Sequence, residues 1–162
     1  MPFSNTRHPL PWLILNACLT RSAWADSAAL TLDHSERLAA SARTACKAFE
    51  REIAVAIVDA SGQTLLLARS PAVGPHNLEA ARRKAYTALS TRQPTLALGR
   101  QARSQPDTAA LQYLPELMLL GGGAPLKRGE AVMGAIGVAG GGGPENDDAC
   151  AQAAAARFTQ QP

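Results

Sequence analysis

The sequence predicts a single-domain α/β sandwich, in which helices pack on a mainly antiparallel sheet. Its length of 162 residues fits one domain of ordinary size. The predicted elements follow the order helix, hairpin, helices, hairpin, helix, and no repeat or linker divides them. Apolar residues make up 46% of the chain but aromatic residues only 4%, so we expect a core of Ala, Leu, Val and Ile.

The first 25 residues have the pattern of a secretory signal peptide. Arg7 gives a weakly basic start, and Leu10–Leu19 is an apolar run too short to cross a bilayer. Ala23 and Ala25 are small residues at the two positions that a signal peptidase reads. We therefore expect cleavage near Ala25, a domain over residues 26–162, and a periplasmic or secreted protein.

Two other interpretations of this segment stay open. It can be a buried N-terminal helix or strand of the domain. It can also be a lipoprotein signal that ends at Cys18, although Asn16 fits that pattern poorly.

Charge argues against a nucleic-acid partner. The whole chain has a formal charge of +3, from 16 basic and 13 acidic residues. Removing Arg7 and Arg21 with the signal lowers the basic count from 16 to 14, against 13 acidic residues. The mature chain is then nearly neutral, so we expect neither nucleic-acid binding nor insertion into a membrane.

The first elements are a helix and a hairpin. Apolar residues at helical spacing predict a helix over residues 33–51, with Asp33 as N-cap and Glu36 completing a capping box. Ile53–Val58 and Gln63–Arg69 then form two strands joined by a turn with Asp first and Gly fourth. Both faces of the first strand are apolar, which predicts a central position in the sheet.

The middle of the chain is predicted to be helical. A Pro- and Gly-rich loop over residues 70–75 leads to a helix from His76 or Asn77 to Thr91. Pro94 ends that region, and short helices follow over Thr95–Arg103 and from about residue 107 to residue 113.

The last third supplies the other strands and the final helix. We predict strands over Leu117–Leu120, Ala124–Lys127 and Ala131–Val138, and a helix over residues 145–158. Alternation places Val132 on one face of the last strand and Met133 on the other, the face that also carries Ala135 and Gly137. That second face lacks bulk, so a helix or a flat ligand is expected to pack closely against it.

The sequence contains two glycine runs, Gly121–Gly123 and Gly140–Gly143, and the second raises the question of a phosphate-binding loop. It is not followed by the Lys and Ser or Thr of a Walker loop, and it does not form G-x-G-x-x-G. Glu145, Asp147 and Asp148 lie in the first turn of the next helix, where they complement its positive end and repel phosphate. Capping also explains these acids better than a calcium site does.

Other chemistries lack their motifs. The sequence contains no G-x-S-x-G and no Cys-x-x-Cys, which argues against a hydrolase elbow and a structural zinc site. After signal cleavage Cys46 and Cys150 remain. They form either a disulfide between the first and last helices or two buried thiols.

His76 is the candidate ligand that the residues themselves suggest. It ends an irregular loop, directly after Gly74-Pro75, at the start of a helix. A neutral imidazole is a usual ligand of haem iron. The alternative is that His76 is only a cap or surface residue.

Three segments carry a family resemblance: VDASGQTLLLAR, GPHNLEAARRKAYTALS and LMLLGGGAPLKRGEAVMGAIGVAGGGGPENDDACAQAA. Together they resemble the GlcG/HbpS family, also known as the haem-degrading domain family and as the C-terminal domain of PduO-type cobalamin proteins. The likeness covers roughly Leu30 to Phe158, with the motifs in the same order.

The resemblance implies a profilin-like sandwich with a five-stranded antiparallel sheet, a homo-oligomer, and haem as cofactor. On this basis we expect His76 to contact haem and ligate its iron, Arg82 and Arg83 to meet the propionates, and Met133 or Met118 to line the face. Haem degradation is implied by resemblance alone, and we assign no catalytic residue. The Glu-x-x-Glu motif of the family's iron-binding member is missing here.

We therefore expect an exported haem-binding protein in haem handling or sensing. The alternative is a non-enzymatic oligomeric accessory or sensory module that binds another small organic ligand or a partner protein.

Overall fold

A computed structural model describes residues 29–160, so the predicted signal peptide lies outside the described residues. Within this range the chain forms an α+β domain, and Lys47–Phe49 and Ala110–Tyr113 form short 3₁₀ turns. The helices are α1 (Leu32–Cys46), α2 (His76–Thr91), α3 (Thr95–Ser104), α4 (Pro106–Ala109) and α5 (Pro144–Thr159). The strands are β1 (Ala54–Asp59), β2 (Thr64–Arg69), β3 (Gly123–Arg128) and β4 (Ala131–Ala139).

The four strands form one antiparallel sheet in the order β2-β1-β4-β3. Ile57 of β1 pairs with Leu66 of β2 on one side and with Ile136 of β4 on the other. The predicted central position of the first strand is confirmed.

The expected fifth strand, Leu117–Leu120, is wrong. This segment is irregular, because its backbone groups bond to side chains of two helices instead of to a neighbouring strand. The carbonyl of Leu117 accepts from Arg83, and the N–H of Met118 donates to Thr87 Oγ1 at 2.8 Å. The carbonyl of Leu120 accepts from the hydroxyl of Thr95 at 2.7 Å.

Helices cover both faces of the sheet. On one face α1 and α5 pack against the larger side chains of the strands, including Val55, Ile57, Ile136 and Val138. On the other face α2 packs through alanines against alanines, as in the contact of Ala81 and Ala85 with Ala135. Gly137 explains the close approach of α2, since a Cβ there would collide with the Ala81 carbonyl oxygen. The prediction of a close-packed face is confirmed, and a helix occupies it.

The predicted faces of Met133 and Val132 are reversed. The pairing of β3 with β4 shifts between Leu126 and Lys127, which leaves Met133 as the extra residue of a β-bulge. Met133 therefore packs with the α1/α5 core, while Val132 turns towards Tyr86 of α2.

Helix α1 begins and ends earlier than predicted. Its N-cap is Thr31, whose Oγ1 accepts from the N–H of His34 at 3.2 Å, while the His34 side chain completes the capping box in place of Glu36. At its other end α1 gives way to a 3₁₀ turn after Cys46, and Glu50 adopts a left-handed conformation with φ of 53°.

A disulfide joins Cys46 at the end of α1 to Cys150 in α5. Their Cα atoms are 5.4 Å apart, both residues are fully buried, and 104 positions separate them in the sequence. Of the two alternatives for these cysteines, the structure shows the disulfide.

Candidate functional site

The space beside the first glycine run is filled by the protein's own backbone. A Cβ at Gly122 would collide with the carbonyl oxygen of Val138, and one at Gly123 with that of Lys84. Gly122 also has φ of +116°, which disfavours a side chain there. This first run therefore serves close packing.

A buried ion pair, Lys84 with Asp147, lies behind this glycine run. Lys84 Nζ is 2.8 Å from Asp147 Oδ2 and donates to the carbonyl of Val138 at 3.0 Å. The second carboxylate oxygen of Asp147 accepts from the N–H of Gly141 at 2.6 Å. Because only 2% and 7% of the two side chains are exposed, the pair links α2, β4 and α5 inside the domain.

Helix capping was the expected role of Asp147, and its pairing with Lys84 was not predicted. Burial lowers the pKa of Lys84, and the negative charge of Asp147 opposes this shift. A signal was present, since Lys84 falls at helical spacing among Ala81, Ala85 and Ala88, on the apolar face of its helix. A lysine at such a position requires a buried acceptor.

His76 is the first residue of α2 and its side chain is exposed. The imidazole lies over Gly74, where a Cβ would come within 3.0 Å of Cε1. Within residues 29–160 no group forms a hydrogen bond with either ring nitrogen. His34, in contrast, uses Nδ1 in the α1 capping box.

The loop before His76 is held in place by backbone and side-chain hydrogen bonds. The guanidinium of Arg69 donates to the carbonyls of Ser70, at 3.3 Å, and Val73. The side chain of Asn77 donates back to the Gly74 carbonyl at 3.1 Å. The imidazole is thus presented from an anchored loop.

Arg82 is already paired. It donates two hydrogen bonds to Glu79, at 2.7 and 2.8 Å, and these lower the pKa of the Glu79 carboxyl. The Nη1 group of Arg82 takes no part in this pair, so a second carboxylate can bind there without displacing Glu79.

Arg83 lies two turns beyond His76, on the same stripe of α2. Its guanidinium donates to the Leu117 carbonyl at 2.7 Å, while its Nε is buried without a hydrogen-bond partner within residues 29–160. Met118 follows in the same loop and is half-buried beside Thr87. The structure therefore brings His76, Arg83 and Met118 to one side of α2.

Met133 lies apart from this group. It packs with the α1/α5 core, on the face of the sheet opposite to α2. Among the described residues no cluster of three or more His, Cys, Asp or Glu side chains is placed to hold a metal ion. Residues 29–160 also contain no helix that is both long and apolar enough to cross a membrane.

The structure is a small α+β domain. Its antiparallel sheet is covered by helices on both faces, and glycines allow the close packing of α2 on the sheet. The chain belongs to the family of HbpS-like haem-degrading proteins, whose model matches residues 30–156. This result confirms the family indicated by the sequence motifs.

Solved structures include close likenesses. A crystal structure of HbpS is 36% identical, with a TM-score of 0.73, covering 80% of this chain and 89% of that one. A double mutant of HbpS from Streptomyces reticuli is 32% identical, with a TM-score of 0.72, covering 93% and 98%. PduOC in complex with haem is 28% identical, with a TM-score of 0.69, covering 79% and 94%. No curated protein matched the sequence.

Proposed function

We propose that this protein binds haem, with the imidazole of His76 as a ligand of the iron. The observation that carries the proposal is the state of that imidazole: it is exposed, set on an anchored loop, and free of hydrogen bonds within residues 29–160. A neutral imidazole nitrogen in that state can bind iron. Membership of the HbpS-like family and the haem complex of PduOC support the choice of ligand.

Arg83 is one candidate for a propionate. It shares a stripe of α2 with His76, and its buried Nε has no hydrogen-bond partner among the described residues. A guanidinium binds carboxylates through charge-assisted hydrogen bonds. Arg82 offers its Nη1 group, which takes no part in the pair with Glu79. The haem contact of Met133 stays a prediction. Within one chain Met133 lies on the face of the sheet opposite to α2, whereas Met118 lies beside α2.

Titration of the purified protein with haemin, followed by the Soret band, tests this proposal. We expect saturable binding that weakens strongly in His76→Ala and is unchanged in His34→Ala, the matched control with its imidazole in a helix cap. A titration without saturation would refute haem binding. Equal affinity of His76→Ala and the unmodified protein would refute His76 as ligand. If the Soret band is lost over time in the presence of ascorbate, the protein also breaks down the haem that it binds.

We further propose that the protein is exported after cleavage near Ala25. The buried Cys46–Cys150 disulfide supports this, because disulfides persist mainly in oxidising compartments. Mass spectrometry of the non-reduced periplasmic protein is expected to show a chain that begins at Asp26 with one disulfide. A lipid-modified N-terminus at Cys18 would favour the lipoprotein alternative.

A homo-oligomer, or a complex with a protein partner, is the third part of the proposal. Several large apolar side chains lie exposed, and three of them share one segment of the chain: Tyr113 is 79% exposed, Leu114 47% and Leu120 46%. Contiguous exposed apolar groups commonly mark protein interfaces. Light scattering of the purified mature protein is expected to give a mass above that of one chain, and a monomer would refute self-assembly.

A further inference from the structure

We propose that the outer edge of strand β2 pairs with the same edge of a second copy of this chain. The inference rests on the self-assembly proposed above and names a surface for it other than the segment that carries Tyr113. In the sheet of residues 29–160 only β2 and β3 lie at an edge. An edge strand presents a row of unpaired N–H and C=O groups, to which a further strand can bind.

The β3 edge is closed to a further strand. The N–H of Gly123 donates to Thr95 Oγ1 at 2.8 Å, and Pro125, the next residue that points outwards, has no N–H to donate. The carbonyl of Lys127 accepts from the hydroxyl of Thr159 at 3.3 Å. The first four residues of β3 are also buried, so this edge offers little room.

The β2 edge has no such cover. Ser70 donates its N–H to the Ile53 carbonyl at 3.3 Å, so by alternation along the strand the backbone groups of Leu67 and Arg69 point away from β1. Within residues 29–160 no other group bonds to the N–H or C=O of these two residues. Thr64, Leu67 and Arg69 are exposed, and no residue of β2 is buried. An incoming strand can therefore reach this edge.

The side chains of β2 lack most of the features that block such an edge. Residues 64–68 read TLLLA, without a charge or a proline. The β-bulge lies at Leu65, near the start of the strand, and leaves the stretch after it regular. Leu67 is 43% exposed, on the α2 face of the sheet, since its partner Ala56 belongs to the alanine core on that face. Exposed, apolar edge strands of this kind pair with other chains.

A second copy of the chain supplies a matching surface, because it carries the same open and uncharged edge. Antiparallel pairing about a two-fold axis brings one patch against itself. With the axis at Leu67, the two Leu67 residues exchange both N–H···O bonds and their side chains cover each other. The two Arg69 residues then lie about 14 Å apart along the strands, at about 3.4 Å per residue, so no like charges meet.

The pairing would join two four-stranded sheets into one continuous sheet. The contact involves one short strand from each copy, so its area is small. Small interfaces of this kind belong to complexes that dissociate readily. We therefore expect a dimer whose population rises with protein concentration.

Oxidative cross-linking of the purified protein tests the pairing without requiring a long-lived dimer. Leu67→Cys is expected to form an intermolecular disulfide, because the Cα atoms of a hydrogen-bonded antiparallel pair lie about 5.5 Å apart, within disulfide range. Thr64→Cys is the matched control: it is exposed on the same strand but would lie about 20 Å from its counterpart, so it should stay monomeric. Cys46 and Cys150 are buried and already bonded to each other, so they do not compete.

Charged variants test the position of the two-fold axis. Leu67→Lys and Leu67→Glu each place like charges directly opposite each other in the dimer, so each alone is expected to sediment as a monomer. An equimolar mixture of the two is expected to recover the dimer, because opposite charges then meet. Recovery in the mixture also shows that both variants are folded.

Four outcomes would overturn this inference. They are the absence of a cross-link in Leu67→Cys, equal cross-linking in Thr64→Cys, a dimer that persists in Leu67→Lys, and a mixture that stays monomeric. If the unmodified protein and all these variants share one mass above that of a single chain, self-assembly stands and the β2 edge is excluded as its surface. Failure of this inference is thereby distinguished from failure of self-assembly.

Discussion

Replacing Lys84 by Met removes one partner of the buried ion pair and keeps a side chain of similar length. In the folded protein Asp147 Oδ2 then loses its donor at 2.8 Å, and the Val138 carbonyl loses its donor at 3.0 Å. Among residues 29–160, the carboxylate then retains only the N–H of Gly141 as a partner. A charge left in this way inside a protein is strongly destabilising.

The expected loss in the free energy of unfolding is about 3–5 kcal/mol, the range found when one partner of a buried pair is removed. This range applies here because only 2% of the Lys84 side chain is exposed, so the ion pair is fully buried. A domain of this size has a total stability of about 5–15 kcal/mol, so the variant would retain only part of it.

Urea denaturation followed by circular dichroism measures this change, with the disulfide kept oxidised in every sample. Lys127→Met is the matched control, because Lys127 is exposed on β3 and its replacement should change stability by less than about 0.5 kcal/mol. The double variant Lys84→Met with Asp147→Leu removes both charges, and we expect it to be more stable than Lys84→Met alone. A loss below about 1 kcal/mol in Lys84→Met, or a double variant less stable than the single one, would refute this reasoning.

Three further predictions concern stability. Reducing the Cys46–Cys150 disulfide, which closes a span of 104 residues, should lower the free energy of unfolding by about 2–5 kcal/mol, seen as a lower Tm in reductant. Burial raises the pKa of the Asp148 carboxyl above 3.8, so its folded form holds a proton more tightly than its unfolded form, and stability falls as pH rises through the raised pKa. Asp148→Asn should therefore be more stable than the unmodified protein at neutral pH, and the difference should narrow as pH falls towards 3.8 in denaturation at several pH values. Gly137→Ala places a methyl group against the Ala81 carbonyl and should cost about 1–3 kcal/mol by urea denaturation.

Each of these has its own control. A variant with alanine at both cysteines should show no response of Tm to reductant, and an equal response would contradict the first prediction. A difference between Asp148→Asn and the unmodified protein that is constant from pH 4 to pH 7 would contradict the second. For the third, Gly134→Ala on the opposite face of the same strand is a comparison and not a neutral control, because a Cβ there would also collide, with the Val58 carbonyl. Unchanged stability of Gly137→Ala would show that α2 can move away from the sheet.

Local patterns predicted the elements that local forces determine. The first hairpin follows from an apolar run, the Asp59-to-Gly62 turn and a second apolar run, and the strands lie within a residue of the predicted bounds. Helix α2 likewise begins at His76 and ends at Thr91 as expected. In both cases the turn chemistry and the spacing of apolar residues are set within a few positions of the chain.

The strand expected at Leu117–Leu120 failed for a physical reason that no local pattern contains. An apolar run of that length can serve either as a strand or as a packed irregular segment. Arg83, Thr87 and Thr95 supply the hydrogen bonds that a neighbouring strand would otherwise supply, and they come from elements more than twenty residues away.

The candidate site was also predicted only in part. The loop and helix start that place His76 could be predicted from Gly74 and the following proline. The sequence could not show whether Arg82 pairs with Glu79 or with a ligand. Met133 was placed on the wrong face, because alternation holds only until a bulge interrupts it.

By itself the sequence determined the family, the two antiparallel hairpins and the histidine at the start of α2, since motifs and short-range spacing govern all of these. Tertiary structure alone decided which partners meet across the fold: Lys84 with Asp147, Cys46 with Cys150, and α2 with the Gly137 face of the sheet. The physical reason is that a buried charge, a thiol or a missing side chain in the sequence indicates only that some partner is needed. Which distant residue becomes that partner depends on how the helices pack on the sheet.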